Sequence, residues 1–74
     1  MNIQHLNRYK ALGLKIAYFR KQKGLSQMEL SERVNISRTH MSRIETAECA
    51  VSLDIVFEIC AVLEIEPEKL FAVE

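Results

Sequence analysis

Proline occurs once and glycine twice in the 74 residues of this chain. No segment carries the alternating apolar and polar runs, bounded by turn residues, that mark strands, so the expected fold class is all-α. No run of 18 apolar residues is present, which argues against a membrane-spanning helix. The opening stretch "MNIQHLNRYKALGLK" has no uninterrupted apolar core and no small-residue cleavage site, so it does not read as a signal peptide. Two cysteines in a chain without export signals read as reduced thiols, and the expected location is the cytoplasm. Cys49, Cys60, His5 and His40 fall at no paired metal-ligand spacing, so no metal is expected. Cys60 reads instead as a small core hydrophobe and Cys49 as a loop thiol. A glycine-rich phosphate loop, a nucleophile elbow and a paired-carboxylate pattern are all missing, which argues against an enzyme and against a cofactor.

What the chain does have is a high apolar content, 49%, beside 27% charged residues. That combination supports one small packed domain spanning 1–74. The formal net charge of zero conceals a division. Residues 1–43 hold nine Lys or Arg and two Asp or Glu, a balance of 9 − 2 = +7. Residues 44–74 hold one Lys and eight Asp or Glu, a balance of 1 − 8 = −7. The basic half points to a polyanion, and the acidic half limits non-specific adhesion.

Helix starts recur along the chain. Ser26 stands three residues before Glu29, as in a capping box, with Leu25 and Leu30 at the positions of a hydrophobic staple. Ile36-Ser37 with Met41 and Val51-Ser52 with Val56 repeat the cap and staple, and Ile65-Glu66-Pro67 with Leu70 adds a start with proline at the first helical position. With the segment that ends at Gly24, these signals predict five helices: about Leu6–Lys23, Gln27–Val34, Arg38–Glu45, Leu53–Leu63 and Pro67–Phe71. Apolar residues at helical spacing predict a core of Leu12, Ile16, Phe19, Leu30, Val34, Ile36, Met41, Ile44, Leu53, Val56, Ile59, Cys60, Leu63, Ile65 and Leu70.

Only Asn35-Ile36-Ser37 separates the second helix from the third, the connection length of a helix-turn-helix placed at about 26–45. Asn35 suits a chain reversal because asparagine tolerates the left-handed conformation. Met41 and Ile44 anchor the third helix, so its remaining face, Arg38, Thr39, Ser42 and Arg43 with His40 beside them, has to point outwards. Arginine can bond guanine O6 and N7 in a fork, and threonine can meet a base edge or a thymine methyl. Serine and histidine can hold phosphates, as can the free N–H groups of the helix that begins at Ser26 and Gln27.

The stretch "LGLKIAYFRKQKGLSQMELSERVNISRTHMSRIE", continued by "SLDIVFEICAVLEIEPEKLF", resembles the lambda-repressor/Cro-type helix-turn-helix family, also called xenobiotic-response-element-type (XRE) regulators. The resemblance covers about Leu12 to Phe71 and rests most on Arg20, "GLSQ" at 24–27, Leu30 and "SRIE" at 42–45. "SRTHMSRIE" on so short a chain is also similar to the controller proteins of restriction–modification systems, and to small phage or mobile-element regulators. The resemblance implies phosphate contact for Ser26 and Gln27, base contact for Arg38, Thr39 and Arg43, and backbone contact for Ser37, His40 and Ser42. It implies an ion pair between Arg20 and Glu45. It implies a transcriptional regulator, a repressor or an activator, with RNA polymerase as a further partner. The chain departs from the family where Ser31 replaces the usual alanine and where Asn35 and Ala47 replace glycines. The loop "TAECA" also lacks the usual basic residues, so its phosphate grip is expected to be weaker or made by backbone N–H groups alone.

The fourth helix is apolar over roughly 220° of its circumference, more than one core contact needs. Ile55 and Val62 extend its core face on one side and Phe57 on the other, and Ile65, Leu70, Phe71 and Val73 lie nearby. The expectation is a homodimer joined through residues 51–74, reading a near-palindromic operator of double-stranded DNA. The competing expectation is an antitoxin-like or anti-repressor helical module that binds protein and reads no DNA.

Overall fold

The computed structural model describes residues 1–71. All its regular structure is helical: a 3-10 turn at Ile3–His5, then α1 (Leu6–Gln22), α2 (Gln27–Arg33), α3 (Arg38–Glu45), α4 (Leu53–Leu63) and α5 (Glu68–Phe71). The bounds of α3 and α4 coincide with those read from the sequence. α1 and α2 each stop one residue sooner, and α5 begins one residue later.

Local chemistry sets each boundary. The Ser26 hydroxyl accepts from the Glu29 amide at 3.0 Å, and the Ser26 amide donates to the Glu29 carboxylate at 2.9 Å, a complete capping box. The Ser26 amide, and after it the Ser26 hydroxyl, hold the Glu29 carboxyl below its ordinary value. The hydroxyls of Ser37 and Ser52 cap α3 and α4 through the amides of His40 (3.0 Å) and Ile55 (3.2 Å). Gly24, at φ +77°, turns the chain after α1. The 3-10 turn has no counterpart among the predicted elements. Asn2 starts it by accepting from the Gln4 amide at 2.9 Å, a side-chain turn that carries no hydrophobic period.

The core is built mainly from the expected residues. Leu12, Ile16, Leu30, Val34, Met41, Ile44, Val56, Ile59, Cys60, Leu63 and Leu70 are buried, and Phe19, Ile36 and Ile65 pack against them partly covered. Leu53 departs from expectation and is 62% exposed. It is the first residue of α4 and lies about 70° round the helix from the centre of the Val56–Ile59–Cys60–Leu63 stripe. Burial raises the Cys60 thiol above its usual titration range, with the nearby Glu66 carboxylate adding to it, so this sulfur stays a protonated hydrophobe.

Two junctions orient α3 against the body. Gly13, buried in the middle of α1, lies on the end of α3: a methyl group there would meet the carbonyl oxygens of Glu45 and, at 2.7 Å, Ile44. Seven residues further along α1, Arg20 reaches the same turn.

Candidate nucleic-acid interface

α3 divides cleanly around its axis. At 100° per residue, Ile44, Met41 and Glu45 fall on adjoining positions and are buried. Arg38, Ser42, Thr39 and Arg43 follow in that order round the other side, over about 140°. Arg38, Thr39 and Arg43 are exposed, Ser42 is half-buried, and half-buried His40 lies at the far edge. Eight residues make a rod about 12 Å long. A helix about 10–12 Å across fits the width of a DNA major groove, and a face of two guanidiniums and two hydroxyls suits its donor and acceptor pattern.

A polar knot fixes how α3 is presented. Arg20 Nε donates to Glu45 Oε2 at 2.7 Å and Arg20 Nη2 to Glu45 Oε1 at 3.0 Å, a two-pronged pair of groups exposed by only 8% and 7%. The third arm, Arg20 Nη1, donates to the Leu25 carbonyl at 2.9 Å and closes the turn between α1 and α2. Gln27 Nε2 donates to Glu45 Oε1 at 3.0 Å. One carboxylate therefore ties together α1, the first residue of α2 and the last residue of α3. No buried side-chain polar atom among the described residues lacks a partner. Gln27 is half-buried and its amide already serves this knot, so in the free protein it is a brace as well as a group at the edge of the face.

The serine hydroxyls at the two helix starts are also committed, but only in part. Ser26 and Ser37 each use one lone pair for the cap, and the O–H remains able to donate to an anion. Between α2 and α3, Asn35 takes the left-handed conformation at φ 60°. After α3, Ala47 does the same at φ 62°, a position where the β-carbon costs about 1–2 kcal/mol relative to glycine. In the following loop the Glu48 carboxylate accepts from the Thr46 hydroxyl at 2.7 Å. Ser31 is buried at the other family departure, and its hydroxyl donates to the Met28 carbonyl at 2.8 Å, so a hydroxyl enters the core without an unpaired atom.

The structure corrects the expected dimer surface. Leu70 is 2% exposed and belongs to the chain's own core, because α5 folds back and seats it against α1. Ile55, Val62 and Ile65 are partly covered by the same core. Phe57 and Phe71 stand out at 52% and 54% exposure, joined by the unexpected Leu53. Val73 lies outside the described residues. Gly13 and Leu25 were not among the residues read as structural determinants of the site; an isolated glycine inside an apolar helix pattern is the only sequence trace of the close approach of α1 to α3.

Five helices around one core, with a short second helix braced against an outward-facing third, define a helix-turn-helix DNA-binding domain. The chain belongs to the helix-turn-helix family of lambda-repressor or XRE type, whose model matches residues 16–70, and it is a DNA-binding transcriptional regulator. Similar solved structures include the restriction–modification controller protein C.AhdI from Aeromonas hydrophila, at 30% identity and a TM-score of 0.81, covering 85% of this chain and 96% of that one. The clp gene regulator ClgR from Corynebacterium glutamicum aligns at 27% identity and a TM-score of 0.82, over 85% of this chain and 67% of its own. SinR, a master regulator for biofilm formation solved in complex with DNA, aligns at 29% identity and a TM-score of 0.76, over 82% of this chain and 98% of that one. A comparison with curated proteins finds no match. These relatives are regulators, not enzymes, and no helix among the described residues is long and apolar enough to cross a membrane.

Proposed function

We propose that this chain is a sequence-specific regulator of transcription that binds a near-palindromic operator as a homodimer. The observation that carries the reading is the outward arc of α3, with Arg38, Thr39 and Arg43 exposed and Ser42 half-buried among them, held on a helix whose other face is locked to α1 and α2. Arg38, Thr39 and Arg43 contact bases; Ser26, Gln27, Ser37, His40 and Ser42 lie towards the sugar–phosphate backbone. The similarity to SinR, solved in complex with DNA, and to the controller C.AhdI supports that assignment. The working location is then the cytoplasm, with DNA. RNA polymerase is a further partner in the activating case.

The dimer reading rests on Leu53, Phe57 and Phe71, three large exposed apolar groups on α4 and α5. One α3 reads only a few base pairs, whereas a two-fold pair reads half-sites about 34–36 Å apart. Selection of bound sequences from a random DNA pool tests both parts together. An inverted repeat with half-sites one helical turn apart is the expected product. A pool that never enriches, with no mobility shift on random DNA at low salt, points to the protein-binding module instead.

A further inference from the structure

Gln27 opens α2 and Glu45 closes α3, 18 positions apart in the chain. Their side chains meet at 3.0 Å, with Gln27 Nε2 donating to Glu45 Oε1. That bond decides which way round the amide sits. A carboxylate only accepts, so it takes the nitrogen end of Gln27 and repels the oxygen end. The amide nitrogen carries two N–H groups held in one plane. Once the first is bound to Glu45, the direction of the second is set. Gln27 is half-buried, and its side chain makes no other hydrogen bond among the described residues.

Glu45 can do this beside a polyanion because its charge is already met. Arg20 Nε and Nη2 hold both of its oxygens, at 2.7 and 3.0 Å, and both groups are buried. The same guanidinium fixes the main chain two residues before Gln27, through Nη1 and the Leu25 carbonyl at 2.9 Å. The backbone and the side chain at the start of α2 are therefore both tied to one ion pair.

We propose, building on the assignment of α3 as the DNA-reading helix, that Glu45 is a positioning residue for DNA recognition. It holds the Gln27 amide nitrogen-end inward, with the second N–H left for a backbone phosphate. Phosphate contacts set the register of a reading helix on the duplex. Here the register group stands on α2 and the reading groups on α3, and the carboxylate that joins them lies two residues after Arg43. Without it the amide could turn its oxygen outward, where a phosphate repels it, and the contact from α2 would fall out of step with α3.

The test is a double-mutant cycle on the full chain: Gln27→Ala, Glu45→Gln and the two together. Each is measured for binding to a duplex selected from the random pool, at a temperature far below the melting point of every variant. Glu45→Gln keeps the shape of the side chain but replaces one acceptor oxygen by a donor. Each single change should weaken operator binding about tenfold per half-site, the worth of one hydrogen bond to a charged group. The double variant should bind no more weakly than either single one. Losses that multiply would overturn the proposal, as would a Glu45→Gln chain that melts lower yet binds the operator like the native chain. Either result would leave Glu45 a purely structural residue while the DNA reading stood. A native chain that enriches no operator would overturn both. The side-chain amide of Gln27 gives a second readout that needs no variant. In ¹⁵N spectra of the native chain one of its protons should be displaced by the Glu45 bond, and the operator duplex should shift the other far more. Equal movement of both, or of neither, would overturn the proposal.

Discussion

At the scale of single residues, the reading helix and its brace separate into two experiments. Arg38 is the first residue of α3 and is exposed on the face turned away from Met41 and Ile44. Arg38→Ala should weaken operator binding by about 1–3 kcal/mol and relax the preference at one base position in each half-site. Binding measured on operator and on random DNA checks it, since equal losses on both would make Arg38 a phosphate contact. Arg20 never reaches that face. Arg20→Ala strands Glu45 in a site it shares with only the Gln27 amide, and breaking a buried pair of this kind costs about 3–5 kcal/mol. Thermal melting reads the loss, at about 4–8 °C per kcal/mol for a domain of this size. A melting temperature equal to that of the native chain would show the knot to be dispensable.

At the scale of elements, the helix starts were the most legible part of the chain. Ser26, Ser37 and Ser52 are caps whose chemistry is local, so a few neighbouring letters suffice to place them. What depends on the approach of distant elements was not legible in the same way. Nothing beside Gly13 in sequence says that the end of α3 will lie against it, and nothing beside Leu53 says that it will stay uncovered. Gly13→Ala pushes a methyl group into the Ile44 and Glu45 carbonyls, and the resulting overpacking should cost roughly 3 kcal/mol. Denaturant unfolding measures it, and a native-like midpoint would mean that α1 and α3 separate freely. The cap of α2 predicts a pH dependence. Because the Glu29 carboxyl titrates low in the folded chain, its contribution is present above the unfolded carboxylate value of about 4.3 and is lost as pH falls through the folded value. The difference in melting temperature between the native chain and Glu29→Gln should therefore shrink from pH 7 to pH 3; a gap that stays constant would assign the carboxyl no role in the cap.

At the scale of the whole molecule, charge and apolar surface are distributed with opposite purposes. The acidic residues of the second half, such as Glu58, Glu64, Glu66 and Glu68, are exposed on α4, α5 and their junction, while the arginines of α3 stand on another element. Of the expected dimer surface, Phe57 on α4 and Phe71 at the end of α5 stay well exposed, joined by Leu53, which was expected in the core. The sequence could show that α4 has too much apolar surface, but the side that its own core would claim depended on where α5 folds back. Leu70 went to the core through that fold-back, so a charge there would unfold the chain and say nothing about assembly. Phe57→Asp is the informative variant. It should keep the helical content of the native chain, sediment as a monomer at micromolar concentration, and lose operator binding by far more than non-specific binding. A native chain that itself sediments as a monomer and binds a single half-site would remove the dimer from the account.

The contact of Gly13 with the end of α3 has one more consequence. Main chain meets main chain there, with no side chain between to act as a cushion, and Glu45 itself carries the two-pronged pair with Arg20, two turns along α1 from Gly13. α3 is thus keyed to α1 and cannot slide or tilt to suit a duplex of awkward shape. In the proposed dimer, accommodation would fall on the nucleic acid, which would bend or narrow a groove to bring its half-sites to the two reading helices. The deformation energy differs from one dinucleotide step to another. Base pairs between the half-sites, touched by no side chain, should then influence affinity through their stiffness alone.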